Sequence, residues 1–269
     1  MTRPTGHARP LAGGRPYRTE RRVLAGLPCL IELPGSEGSG PGRDAPEPPL
    51  RALTLILHGA HDNKEGKLGV YPALCAAGVA VVLPDAALHG ERAEAGLTPQ
   101  EMGERNYVWT AAARTSRQLP ELITALHAHF GPLPVWAVGS SMGGYSAQSL
   151  ALHDNRVSRV ACLISGGVWD DPQVSSPEAL AYLEGRPVAH AHLAPPTHLL
   201  LQNGADDPLF PAGAVELTAH AYREAYAAAG CPERFGTRTY PGVAHYTSVQ
   251  MRDDAVAFLL AGLEENRAG

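Results

Sequence analysis

The chain has 269 residues, 44% hydrophobic and 18% charged, with 27 acidic against 22 basic side chains and a formal net charge of −5. That length favours one large domain with a sizeable core, and the acidic balance gives no electrostatic case for nucleic acid or an anionic membrane as partner. No run approaches the roughly 18 apolar residues of a membrane span, and residues 1–16 lack the apolar centre of a signal peptide, so the chain reads as cytoplasmic.

In chain order, residues 1–16 are broken by Pro and Gly and read as a solvated, disordered tail. The domain proper is expected over 17–269, opening with two β-like pieces, "RRVL" and "LPCLIEL". A Gly/Pro-rich loop follows over 34–49, then "RALTLILHG", a short apolar strand ending at His58 and Gly59. "YPALCAAG" predicts a helix stopped by Gly78, and "VAVVLPD" a second buried strand ending near Asp85. The spacing over 98–130 predicts helix, with a kink or break at Pro120. "PVWAVG", "VSRVACLISGG" and "THLLLQNG" are further apolar strands, and "FGTRTYPG" a more polar one at a sheet edge. "AVELTAHAYREAYAAAG" places Val215, Ala219, Tyr222 and Tyr226 on one helical face, and the span 247–263 repeats that spacing. Residues 170–196 interrupt the alternation and are expected to form a small cap insertion or a surface excursion.

Apolar strands alternating with amphipathic helices predict an α/β protein with a mostly parallel sheet covered on both faces. Ligand sites in such sheets lie at the carboxyl ends of the strands. His58, Asp85, Ser140 and Ser141, Asp170 and Asp171, and Asp206 and Asp207 all fall just past predicted strand ends.

One of those ends carries the pattern G-x-S-x-G, in the register Gly139, Ser140, Ser141, Met142, Gly143. A strand turning sharply into a helix holds its turn residue in a strained conformation, and flanking glycines permit the close approach. Ser141 is then a candidate nucleophile, and the Met142 N–H at the helix start a candidate oxyanion donor. A serine hydroxyl needs a general base, and the base an orienting acid. "LLLQNGADDPLFP" supplies the acid after the fifth apolar strand, and "YPGVAHYTS" supplies His245 before the last helix. That is the order Ser, acid, His.

With these segments in order, the chain resembles the α/β-hydrolases, in the branch of dienelactone-hydrolase-like and prolyl-oligopeptidase-like serine hydrolases. "LILHGAHDNKEG", "LPDAALHGER", "GADDPLFP" and "GVAH" carry the likeness, from about Leu50 to the C-terminus. The resemblance implies the α/β-hydrolase fold, and since the triad supplies nucleophile, base and oxyanion stabilisation by itself, no cofactor and no metal are expected. It marks Asp207 as the triad acid, with Asp206 as its neighbour and Asp170 or Asp171 as the acid if it followed the preceding strand. It also places the second oxyanion donor at the Ala60 N–H, or at His61 if the loop is shifted by one. His58 is expected to order this loop. The segment from His89 to Arg92 either lines the site or is a structured loop. A dienelactone hydrolase proper would carry cysteine where Ser141 stands.

The expected activity is a serine hydrolase acting on a small carboxylic ester. Peptidase, thioesterase or acyltransferase chemistry could use the same triad, and a non-catalytic binding protein is the reading from another class. The close histidine pairs, His58/His61, His127/His129 and His190/His192, lack the acid or cysteine pattern of a zinc enzyme. The cysteines Cys29, Cys75, Cys162 and Cys231 form no C-x-x-C pair. The sequence sets no oligomeric state.

Overall fold

Strands rich in apolar residues on both faces can be satisfied only inside a sheet covered twice, and that is how they are used. The computed structural model describes residues 17–35 and 49–268. The expected tail and most of the Gly/Pro-rich loop lie outside the described residues. The strands are β1 (Tyr17–Leu24), β2 (Leu27–Pro34), β3 (Ala52–Leu57), β4 (Val79–Pro84), β5 (Val135–Ser140), β6 (Val157–Leu163), β7 (His198–Gly204) and β8 (Phe235–Tyr240). They form one sheet in the order β1-β2-β4-β3-β5-β6-β7-β8. The pairs β1–β2 and β2–β4 are antiparallel, and every pair from β4 to β8 is parallel. The parallel part begins at β3, adds β4 on one side and then crosses to add β5 on the other. The β3–β5 junction is therefore a switch point, where loops diverge and leave a crevice.

The period of two along each strand sorts side chains into two cores. Leu53, Leu55, Leu57, Val135 and Ala137 face one side, and Ile56, Trp136 and Val138 the other. The first face is covered by α3 (Glu104–Phe130), α4 (Met142–His153) and α7 (Ala212–Ala228), the second by α1 (Pro72–Ala76) and α8 (Val249–Ala268). No helix among the described residues is long and apolar enough to cross a membrane.

The helix expected over 98–130 is divided at Gly103, not at Pro120. Gly103 has φ +78°, which separates the short α2 (Pro99–Met102) from α3. Thr98 caps α2 through a reciprocal pairing with Glu101. Pro120 sits inside a continuous α3, although it offers no N–H to the carbonyl one turn earlier. Leu119, Leu122, Ile123 and Leu126, all fully buried, hold the helix to the sheet on both sides of the proline.

Residues 170–196 carry α5 (Pro177–Glu184) and α6 (Pro187–His190). Ala179 and Leu183 of α5 pack with Trp109 of α3, Tyr145 of α4 and Trp169 in a third, smaller core above the sheet.

Candidate active site

Backbone crowding at the end of β5 leaves little choice of residue. A Cβ on Gly139 would stand 2.1 Å from the Gly143 carbonyl oxygen, and one on Gly143 2.1 Å from that of Leu57. Between them Ser141 is held at φ 53° and ψ −117°, a conformation that L-residues adopt only under constraint. Ser140 is the last residue of β5, so the register of the motif and the strained apex coincide at Ser141.

The Ser141 Oγ lies 2.9 Å from His245 Nε2. The other ring nitrogen, Nδ1, lies 2.9 Å from Asp207 Oδ2. A carboxylate only accepts, so Nδ1 carries the proton and Nε2 is left to accept from the serine hydroxyl. Asp207 is buried, and its second oxygen accepts the N–H groups of Leu209 at 2.9 Å and Phe210 at 3.2 Å. The loops bearing acid and base cross tightly: a Cβ on Gly204 would meet the Val243 carbonyl oxygen at 2.0 Å. The Phe210 ring stacks on His245, 5.7 Å between centroids.

The alternative acids are placed elsewhere. Asp206 is exposed. Asp170 is exposed on the wall of the cleft. Asp171 is buried and accepts from Arg105 and from Trp109 Nε1.

Met142 begins α4, so its N–H is one of those that no helical carbonyl satisfies. Across from it the loop after β3 presses on the elbow: a Cβ on Gly59 would lie 3.3 Å from the Ser140 carbonyl oxygen and 3.6 Å from Ser141 Cβ. Ala60 and His61 line the cleft with Ser141 and His245. The Ala60 N–H donates to no group among the described residues. His61 has φ +61°, and its ring is tied to Glu104 at 2.7 Å.

His58 does not reach the cleft. Its Nδ1 donates to the Gly59 carbonyl at 2.8 Å, and its Nε2 accepts the Ala86 N–H at 2.9 Å. Burial holds its pKa down to about 4, so the ring is neutral and both nitrogens are committed to ordering the loop. His89 is buried beside it, and the segment 89–92 does not line the cleft. Among the described residues no group of three or more His, Cys, Asp or Glu side chains is arranged to hold a metal ion.

The cleft has a volume of about 800 Å³. Its walls carry paired charges, Asp62 with Lys67 at 2.7 Å and Arg105 with Asp171, beside the apolar faces of Val108, Ile164 and Phe210. Sequence reasoning missed Arg105, Tyr145 and Phe210 as lining residues. Tyr145 was within reach of it, since the residue four after the nucleophile lies on the same side of α4. Arg105 carries no such signal, because only the packing of 170–196 against α3 brings it there.

The sequence profile of the family described as serine aminopeptidase, S33, matches residues 48–208. The chain belongs to this family. Its fold is the α/β-hydrolase fold and it is a hydrolase by membership. Among solved structures, the protein TT1662 from Thermus thermophilus is 27% identical, with a TM-score of 0.77 over 92% of this chain and 98% of that one. A cold-adapted esterase from an Arctic intertidal metagenomic library is 20% identical, with a TM-score of 0.61 over 96% and 98%. A puromycin-hydrolyzing peptidase of Mycobacterium tuberculosis is 16% identical, with a TM-score of 0.64 over 93% of this chain and 40% of that one. Comparison with curated proteins gives no match.

Proposed function

We propose that this family member is a serine hydrolase that cleaves a small carboxylic ester through an acyl-enzyme intermediate. The observation that carries the reading is the continuous hydrogen-bonded chain from Ser141 through His245 to Asp207, opening into a cleft at the β3–β5 switch point. Ser141 Oγ attacks the ester carbonyl while His245 Nε2 takes its proton. Asp207 keeps the proton on Nδ1 and stabilises the imidazolium. The carbonyl oxygen becomes an oxyanion, which the N–H groups of Met142 and Ala60 stabilise. Collapse of this intermediate expels the alcohol, which takes the proton from His245. Water then attacks the acyl-serine with His245 as base, and the acid leaves as Ser141 is reprotonated.

No step calls on a cofactor or metal. The mixture of paired charges and short apolar faces suits a small acyl group with polar substituents better than a long alkyl chain. Residues 170–173 are read as a fixed wall of the cleft, with the rest of 170–196 supporting them from above. Peptidase activity is the second reading. It is favoured by the family's description and by the likeness to a puromycin-hydrolyzing peptidase.

A fluorophosphonate is expected to label Ser141, and a series of p-nitrophenyl esters of increasing chain length is expected to show turnover highest for short acyl groups. Aminoacyl amides measured alongside decide between the readings. An unlabelled protein with no turnover of either class would mean a binding protein on a hydrolase fold.

A further inference from the structure

The loop after β3 carries Ala60, yet no strand or helix pairing holds that residue in place. Its backbone runs irregularly from His58 to the short turn at 65–67, through the positive φ of His61. Two side-chain attachments fix its ends. At the start, the His58 ring bridges the Gly59 carbonyl and the Ala86 N–H, joining the loop to the segment that follows β4. At the far end, Lys64 is fully buried, a rare state for a lysine. Its Nζ lies 2.7 Å from Asp85 Oδ2, and its own N–H donates to Asp85 Oδ1 at 3.0 Å. Asp85 is also fully buried, and its Oδ2 accepts the Glu91 N–H at 3.0 Å. The fit is close: a Cβ on Gly90 would stand 2.3 Å from Asp85 Oδ1.

A buried ion pair is a poor way to add stability, because desolvation offsets most of the attraction. What it supplies is geometry. The carboxylate at the end of β4 receives both the main chain and the side chain of Lys64. Glu65 and Glu91 also contact Lys64 Nζ, so its charge is matched even without Asp85. Asp85 is therefore spare as a counter-ion and needed as a fastening point.

We propose that Asp85, acting through Lys64, is a positioning residue for the reaction: it holds the loop after β3 so that the Ala60 N–H points at the oxyanion. The inference rests on the proposed function. Asp85 contacts neither substrate nor triad; it acts on the donor. In an Asp85→Asn variant the amide oxygen keeps the donors of only one carboxylate oxygen, either the Lys64 N–H on Oδ1 or the Lys64 Nζ and Glu91 N–H on Oδ2, while the amide NH2 faces donors and cannot accept the rest. The loop then loses one of the two holds on its far end, with no net charge left unpaired on Lys64.

The test uses Asp85→Asn, with Lys64→Met as a second variant. Active sites are counted by fluorophosphonate titration, so kcat is expressed per competent site. A displacement of the donor by about 1 Å predicts a fall in kcat of roughly 10- to 100-fold with KM within about twofold. The Ki of a trifluoromethyl ketone, whose hemiketal oxygen fills the same hole, is expected to rise by the same factor. A merely structural role would lower the melting temperature and the number of competent sites, and would leave kcat per site and that Ki alone. Such a result overturns the proposal, and so does an Asp85→Asn protein that cannot fold, since the pair would then be a stability element. A wild type that neither labels nor turns over ester would instead overturn the proposed function.

Discussion

Ser140 and Ser141 are chemically alike, and the backbone makes them different. Ser140 keeps the conformation of a strand and stays in the ladder with β6. Ser141 turns to φ 53°, which aims its hydroxyl at His245. The strain is maintained by crowding on both sides, from Gly143 against β3 and from Gly59 against the elbow. Ser141→Ala is expected to lower kcat by about 10⁴- to 10⁶-fold, because a triad acts as a unit and is lost as one. Ser140→Ala is expected to stay within about tenfold of the wild type and to keep fluorophosphonate labelling. Ester turnover and labelling of both variants, with thermal melting as the folding control, check the pair. A Ser141→Ala protein that is labelled and active would sink the mechanism.

At the scale of elements, the strand–elbow–helix unit is built by close approach, and glycine is the means. A methyl group on Gly143 would meet backbone of β3, which cannot move aside as a side chain tip can. Gly143→Ala is expected to destabilise the fold by about 2–3 kcal/mol, the upper range for overpacking. Gly213, near the start of α7, has no positive φ, and a methyl group there would meet nothing within 4 Å. Gly213→Ala is expected to stabilise by roughly 0.5–1 kcal/mol, by restricting the unfolded chain and favouring helix. Urea unfolding of both proteins reads the contrast; equal effects would mean that the crowding at the elbow is relieved elsewhere. The same distinction explains Pro120. A missing hydrogen bond in α3 is tolerated because fully buried leucines on either side keep the helix on the sheet.

At the scale of the whole molecule, His58 contributes a dependence of stability on pH. The ring is neutral in the folded protein, since burial depresses its pKa from 6.5 to about 4. Between those values the unfolded chain binds a proton that the folded chain refuses. The stabilisation from this group is thus fully present above about pH 6.5 and is lost as pH falls toward 4, a loss on the order of 3 kcal/mol. Protonation of the folded ring, below about pH 4, also removes the acceptor used by the Ala86 N–H and loosens the loop carrying Ala60. Urea unfolding from pH 7 to pH 4, for the wild type and His58→Gln, is expected to show a steeper loss in the wild type. Parallel curves would mean that His58 does not carry the acid sensitivity. At the sheet edges the molecule is guarded differently. β1 offers the charged residues Arg18, Glu20, Arg21 and Arg22, and β8 leaves Thr237, Arg238 and Thr239 exposed.

Much of this was legible in one dimension. Apolar runs broken by Gly and Pro name the strands, because a strand buried on both faces has no polar alternation to hide it. The motif register names Ser141, because only a small-residue elbow tolerates that turn. The order of the serine, the acid loop and the histidine loop follows from topology, since each stands just after a strand of a parallel sheet. Other features depend on contacts between segments far apart in the chain. Asp207 rather than Asp206 faces His245 because the crossing of two loops at Gly204 rotates one carboxylate inward and leaves the other in solvent. Arg105 and Phe210 reach the cleft through packing between α3, residues 170–196 and the loop after β7. The sequence marks Asp85 only as a residue at the end of a buried strand, and gives no sign that Lys64 is its partner. Only the folded sheet, which sets the ends of β3 and β4 side by side, buries both and makes them a pair.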